Sequence, residues 1–256
     1  MDIIKTSNEV AIQDGLIDSQ IATAKQFPRQ LSTVVEESIF MATMDAETAQ
    51  SCKYAVPRGG KFITGPSVHL AKLIVSNWGN MRIEARITGT TETHVISEAV
   101  CFDLEKNVAV KVEVRRKITD KYGKRFNEDL ITVTGNAANS IALRNAVFSV
   151  IPKAVTDRIY KACEAKVLQG DNNVTLSTRL DGAIKFFADT HKITKKQIFD
   201  LFSVTKKSEM TDEHLSSLLA ISQAIKDGDT TPQQAFSVTI EDKKAAMKNT
   251  PKIDMP

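Results

Sequence analysis

The chain runs to 256 residues, 42% hydrophobic and 25% charged, which is ordinary for a folded globular protein and enough for one large domain or a medium domain plus a small one. No apolar run approaches ~18 residues, so no membrane-spanning helix is expected, and the three cysteines, Cys52, Cys101 and Cys163, lack metal spacing and read as buried free thiols. Net charge is only +3, but residues 53–153 hold 16 Lys and Arg against 9 Asp and Glu, between an acidic head and a near-neutral tail, a distribution that points to a polyanionic partner.

Residues 1–30 are polar and read as an N-terminal arm, poorly ordered or swapped; their start lacks the basic and apolar regions of a signal peptide. From Leu31 to about Ala49 the spacing of Leu31, Val34, Val35, Ile39 and Ala42 predicts a helix. The stretch "VPRGGKFITGP", 56–66, then reads as a basic, glycine-rich loop. Gly65-Pro66-Ser67 signals a helix start, and that helix runs to about Asn77 and stops near Gly79.

The period then switches to two. In "MRIEARI" Met81, Ile83, Ala85 and Ile87 alternate with Arg82, Glu84 and Arg86. "VISEAVCF" follows, and in "VAVKVEVRRKI" Val108, Val110, Val112 and Val114 alternate with Ala109, Lys111, Glu113 and Arg115. These predict three antiparallel strands with one apolar face. "TDKYGKRFNED" reads as a basic hairpin tip turning at Gly123, and "LITV" as a closing strand. "TGNAANSIALRNAVFSVIP" reads as a helix whose many small residues suit close packing on a sheet, with Asn136, Ser140 and Arg144 in one polar stripe at i, i+4, i+8. Residues 168–174 are a linker. The remainder predicts a small helical module, 175–240, with helices over about 176–190, 194–202 and 211–226, a short turn from Pro232, Thr211 and Thr231 as N-caps and Gly228 as a stop, before a tail, 241–256.

Several chemistries are missing. A nucleotide-phosphate loop needs lysine directly after the second glycine of its motif; here Val56 stands four residues before Gly60, and Pro66 follows Gly65. His69, His94, His191 and His214 are scattered, so no metal site and no cofactor is expected. What stands out instead is cationic backbone before a helix N-terminus, where Arg58, Lys61, Thr64 and Ser67 would meet phosphate, followed by a basic sheet.

The order of these parts, carried by "RGGKFITGPSVHLAKLIVSNWGN", "EAVCFDLEKNVAVKVEVRRKITDKYG" and "TGNAANSIALRNAVFSVIP" over roughly residues 50–165, resembles the single-strand annealing superfamily, which includes the eukaryotic Rad-fifty-two protein and the phage RecT, Red-beta, Erf and Sak types. The resemblance implies an α+β fold with a β-β-β-α core (31–167 here), assembled as a homo-oligomeric ring or helical filament, with single-stranded DNA in a groove between the sheet and the last core helix. It carries the family's basic residue on that helix to Arg144, and the cation near the first core helix to Ser67 or His69, with Arg58 or Lys61 as replacements. Lys111, Arg115, Lys117, Lys121, Lys124 and Arg125 would form the strand and hairpin side, with Arg82 and Arg86 beside them. The implied activity is non-enzymatic: ATP-independent annealing for recombination and repair in the cytoplasm, that of a bacterial host if phage-encoded, with no membrane. The helical module would dock a partner exonuclease or a host single-strand binding protein. Trp78, Tyr122 and Phe126 are the candidates for base stacking. Two other readings stay open: a metal-dependent nuclease using Asp103 with Glu113-Val114-Arg115, and an adaptor or structural protein whose basic block meets an acidic protein.

Overall fold

The computed structural model describes the backbone of residues 7–58, 61–120, 122–169 and 174–236, and the side chains from residue 15 on except 57–61. Lys121, linker residues 170–173 and everything from 237 on lie outside the described residues. The fold is α+β. Helices α1 (Ser7–Gln26), α2 (Leu31–Ala42) and α3 (Ala46–Ser51) precede a hairpin of β1 (Lys53–Arg58) and β2 (Lys61–Pro66). Helix α4 (Val68–Trp78) leads into an antiparallel sheet of β3 (Met81–Thr90), β4 (His94–Asp103) and β5 (Val108–Lys117), in that order. Then come α5 (Glu128–Val150), α6 (Lys153–Gln169), α7 (Leu176–His191), α8 (Lys195–Phe202), α9 (Asp212–Lys226) and α10 (Pro232–Phe236). No described helix is long and apolar enough to cross a membrane.

Chain contacts divide the molecule into two units, Met1–Ser38 with Ala71–Thr156, and Ile39–Leu70 with Asp157–Pro256. In the first unit the three-stranded sheet follows the register its alternation predicts: Ile83 faces Cys101, which faces Val110, and Ala85 faces Ala99, which faces Val112. Helix α5 packs on that apolar face. Small residues let it approach closely: a Cβ on Gly135 would lie 3.4 Å from Ile87, and Ala138 and Ala142 are fully buried. Val95, Ile118, Ile131 and Ala138 form the core between them. Ser97 Oγ donates to Asn139 Oδ1 at 2.5 Å, a polar link inside the interface.

Three elements differ from expectation. "LITV" is not a closing strand but the first turns of α5. Its start is set by Asn127, whose side chain accepts from Leu130 N at 2.9 Å, with Glu128 and Asp129 at the positive end of the helix. Asn127→Ala is expected to cost about 1 kcal/mol, a fall of roughly 2–4 °C in melting temperature by circular dichroism. The "loop" at 56–66 is a hairpin: Lys53 pairs with Pro66 and Arg58 with Lys61, and Gly59 and Gly60 at its tip lie outside the described residues. The N-terminal arm contains a helix, α1, in which Ala24 is buried, and residues 27–30 are tied down at Arg29.

In the second unit, helices α7, α8 and α9 fall within about one residue of the predicted spans, and Thr211 and Thr231 cap their helices as expected. Thr175, Thr194 and Thr211 each accept from a backbone N–H in the first turn, and Thr231 and Gln234 bond reciprocally. Gly228 ends the run after α9 at φ +76°. Leu180, Ile184, Phe187, Ile198, Leu215, Leu218 and Ile221 fill its core, each contributing about 1.5–3 kcal/mol by leaving water. The hairpin belongs to this unit rather than to the sheet because Ala55 is buried in the same core and Phe62 stacks on Phe202 with centroids 5.3 Å apart. All three cysteines are buried thiols. The Cys163 thiol donates to the Ala42 carbonyl at 4.0 Å. Burial, with the charge of Asp103, pushes the Cys101 thiol up to about 12.

Candidate nucleic-acid interface

A three-stranded sheet covered on one side by α5 has a second side. Strand alternation puts Arg82 and Arg86 of β3, His94 and Glu98 of β4, and Lys111, Glu113, Arg115 and Lys117 of β5 on it. The side chains of Arg86, Lys111 and Arg115 are 72%, 64% and 66% exposed, so this side faces solvent. From Lys111 to Lys117 the row extends ~20 Å at ~3.3 Å per residue. The row continues into the turn after β5, where Thr119 bridges Arg125 and Gly123 adopts φ +85°. There Lys124 is exposed, and Arg125 donates to the carbonyls of Thr91 and Glu92 at 2.8 and 3.2 Å, tying this turn to the β3–β4 turn.

The cations are interleaved with carboxylates. Arg82 Nη2 lies 2.6 Å from Glu84, Arg115 Nε 2.8 Å from Glu113, and Glu98 takes Lys111 at 2.5 Å and Arg86 at 3.9 Å. Glu98 and Glu113 stand directly opposite one another across the β4–β5 ladder, a pairing that is unfavourable unless cations surround it. Arg86, Lys111 and Arg115 supply that surround. Five cations and three glutamates therefore share this side, and only two of the five positive charges are left uncancelled.

The remaining sequence candidates fall elsewhere. Asn136, Ser140 and Arg144 lie on the side of α5 turned away from the sheet, since Ile131, Gly135, Ala138 and Asn139 face it at the complementary positions of the 3.6-residue turn. Asn136 is exposed; Ser140 and Arg144 are half-buried. Within this unit the strand cations and the helix stripe do not line one groove: the thickness of the sheet and the helix separates them. Arg58, Lys61, Thr64, Ser67 and His69 belong to the other unit. Ser67 is fully buried and acts as a cap, accepting from His69 N and Leu70 N at 3.1 and 3.3 Å while donating to Ser51 O, so it does not meet phosphate. His69 Nε2 lies 2.9 Å from Asp227. Thr64 is exposed on β2, and the side chains of Arg58, Lys61 and Lys121 lie outside the described residues. Among the aromatic candidates, Trp78 is buried and Phe126 packs on the core, which leaves Tyr122, 82% exposed at the basic turn.

Neither the family models, nor the curated proteins, nor the solved structures compared with this chain match it. The geometry of the molecule carries the functional argument.

That geometry also bears on Asp103 and Glu113. They sit on opposite sides of the sheet, because odd positions of β4 pair with even positions of β5. Asp103 is buried and its oxygens are occupied: Arg29 Nη1 and Nη2 donate at 2.5 and 2.7 Å, the N–H groups of Glu105 and Lys106 at 3.1 and 3.0 Å, and Trp78 Nε1 at 3.3 Å. Burial pulls the Asp103 carboxyl upward, but Arg29, Lys106 and Trp78 more than offset it and hold it below the usual carboxylate range. No group of three or more metal-ligating side chains occurs among the described residues. Sequence reasoning missed Arg29 because a lone arginine in a polar arm carries no periodic signal.

Proposed function

We propose that this chain binds single-stranded DNA along the solvent-facing side of its three-stranded sheet and, as a ring or filament of identical copies, promotes the pairing of complementary strands without ATP. The observation that carries this reading is the cationic row on β5, Lys111, Arg115 and Lys117, continued by Lys124 and Arg125 and flanked by Arg82 and Arg86. Contacts of this type address phosphates and carry no sequence code, so binding is tolerant of sequence and steep in salt. With about five phosphates neutralised per copy, log K falls with log salt at a slope near −3.5, taking ~0.7 per phosphate for single strands. Annealing follows from the same charge: two strands repel through their phosphates, a cationic surface neutralises one of them, and base pairing supplies the free energy. The missing nucleotide-phosphate loop fits a device that works at equilibrium. Assembly has an available route, because the outer edges of β3 and β5 pair with no other described strand. The helical module is then a docking element for a recombination partner, such as an exonuclease or a single-strand binding protein.

The interleaved glutamates give a specific test. Glu98 competes with phosphate for Arg86 and Lys111, so Glu98→Gln tightens binding of a single-stranded oligonucleotide several-fold at low salt, read by fluorescence anisotropy, and speeds annealing of complementary oligonucleotides in the absence of ATP. Light scattering reports the assembly. A protein that binds no oligonucleotide even at low salt, or a Glu98→Gln variant that binds more weakly, overturns the reading and returns the basic block to an acidic protein partner. Mg²⁺-dependent cleavage lost in Glu113→Ala would return it to the nuclease.

A further inference from the structure

The second unit contains a polar cavity of about 330 Å³ between the β1–β2 hairpin, α6 and α9, with Lys53, Tyr160, Glu164, Glu213, Ser216 and Ser217 in its wall. At ~30 Å³ per water it has room for roughly ten waters or one small metabolite. Lysine is almost never fully buried without partners, yet Lys53 is only 6% exposed. Its ammonium donates to Ser216 Oγ at 2.8 Å, stands 3.4 Å from Glu164 Oε1 and lies 5.9 Å from the centroid of the Tyr160 ring. An ammonium has three N–H donors, and these contacts use two. Tyr160 Oη is buried; the Thr64 hydroxyl stands beside it in the cavity wall, and the tyrosine's own O–H meets no acceptor within hydrogen-bonding geometry among the described residues. Burial, and the charge of Glu164 after it, raise the Tyr160 pKa well above its ordinary value, so the hydroxyl keeps its proton.

The cavity thus holds two spare donors, one of them charged, at buried positions. Its carboxylates are the more exposed part of the wall: the Glu164 side chain is 41% exposed and Glu213 is exposed. An anion alone would meet two carboxylates, and a cation alone would meet Lys53. A molecule bearing both charges close together satisfies every group. We propose that this cavity binds a small zwitterion of the α-amino-acid class, with its carboxylate on Lys53 and Tyr160 and its ammonium toward Glu164 and Glu213. Ser216 then orients the lysine, and Ser217 offers a further hydroxyl to the carboxylate. Nothing in this site depends on nucleic acid, so it stands or falls apart from the annealing reading.

The test uses the full chain without DNA. Each of the twenty amino acids is titrated by calorimetry, and any binder is compared with its N-acetyl form, which lacks the ammonium, and its amide, which lacks the carboxylate. At least one amino acid is expected to bind, and both capped forms are expected to bind at least tenfold more weakly. Tyr160→Phe removes a single oxygen and keeps the ring, and weakens binding about tenfold to a hundredfold, the range for a hydrogen bond to a charged group. Glu213→Gln, an exposed change that the fold tolerates, weakens the free amino acid several-fold and leaves the N-acetyl form unchanged. Binding by none of the twenty overturns the proposal; so does equal affinity of Tyr160→Phe and the parent, or equal affinity for free and capped forms.

Discussion

Replacing Arg86, Lys111, Arg115 and Lys117 together with alanine is expected to lower single-strand affinity about a thousandfold at low salt. Each of these side chains lies on the side of the sheet away from α5, so the substitutions leave the Val95–Ile118–Ile131 core untouched and the circular dichroism spectrum unchanged. A surface cation near a phosphate is worth about 1 kcal/mol in water, and four such contacts amount to about three powers of ten. The slope of log K against log salt falls in parallel by roughly 2.8, at ~0.7 per lost phosphate contact. Affinity and slope must change together, because both count the same displaced counterions. Alanines at Lys185, Lys195 and Lys206, cations of the helical module, serve as the control for net charge. A similar loss in that control would place the interface on the other unit. An unchanged slope in the sheet variant would remove these residues from the interface.

The sheet side of that experiment was legible in the sequence. Period-two alternation put Arg82, Arg86, Lys111 and Arg115 on the side away from the apolar face, where the register places them; Arg116 falls on the other side. What alternation could not give is register. That Glu98 lies between Arg86 and Glu113, and within 2.5 Å of Lys111, depends on how three strands align, and so the partial cancellation of the positive face was not visible. The caps at Thr211 and Thr231 were legible because each acts within one turn of chain; those at Thr175 and Thr194 work the same way but were not singled out. The hairpin at 53–66 was hidden by Pro57, Pro66 and the paired glycines, which read as loop; a two-stranded ribbon tolerates proline because each strand has a free edge. The groove implied by resemblance put Arg144 with the strand cations. A polar stripe at i, i+4, i+8 says only that one side of a helix is polar, and here that side is turned away from the sheet.

The second large effect lies at the N-terminal segment, which composition alone read as an arm, poorly ordered or swapped. Arg29 is buried, with its side chain 7% exposed. It forms a two-pronged pair with Asp103, places Nε 3.2 Å from Glu105 and stacks its guanidinium 4.9 Å above the Trp78 ring. The backbone N–H of Arg29 donates to Glu105 at 2.9 Å, and Asn80 donates to the carbonyl of Phe27 at 2.9 Å, so the segment is fixed to the β4–β5 turn by charge and backbone together. Arg29→Met strands the buried Asp103 carboxylate and the half-buried Glu105 and is expected to cost about 3–5 kcal/mol, a fall of roughly 6–20 °C in melting temperature. Arg29→Met combined with Asp103→Asn recovers part of that loss, with a coupling of about 1–3 kcal/mol in the double-mutant cycle. The acid response has a definite sign. The folded-state carboxyls of Asp103 and Glu105 both lie below their ordinary values: burial opposes this, but the bonds and charge from Arg29 prevail. Their contribution is therefore complete above pH ~5, where the unfolded groups are ionised, and is lost as pH falls through the folded values. Urea titrations at neutral pH and at successively lower pH should show the parent converging on Asp103→Asn as acid protonates the pair. A gap that stayed constant down to the lowest pH would mean that Asp103 stabilises the fold by packing and not by its charge.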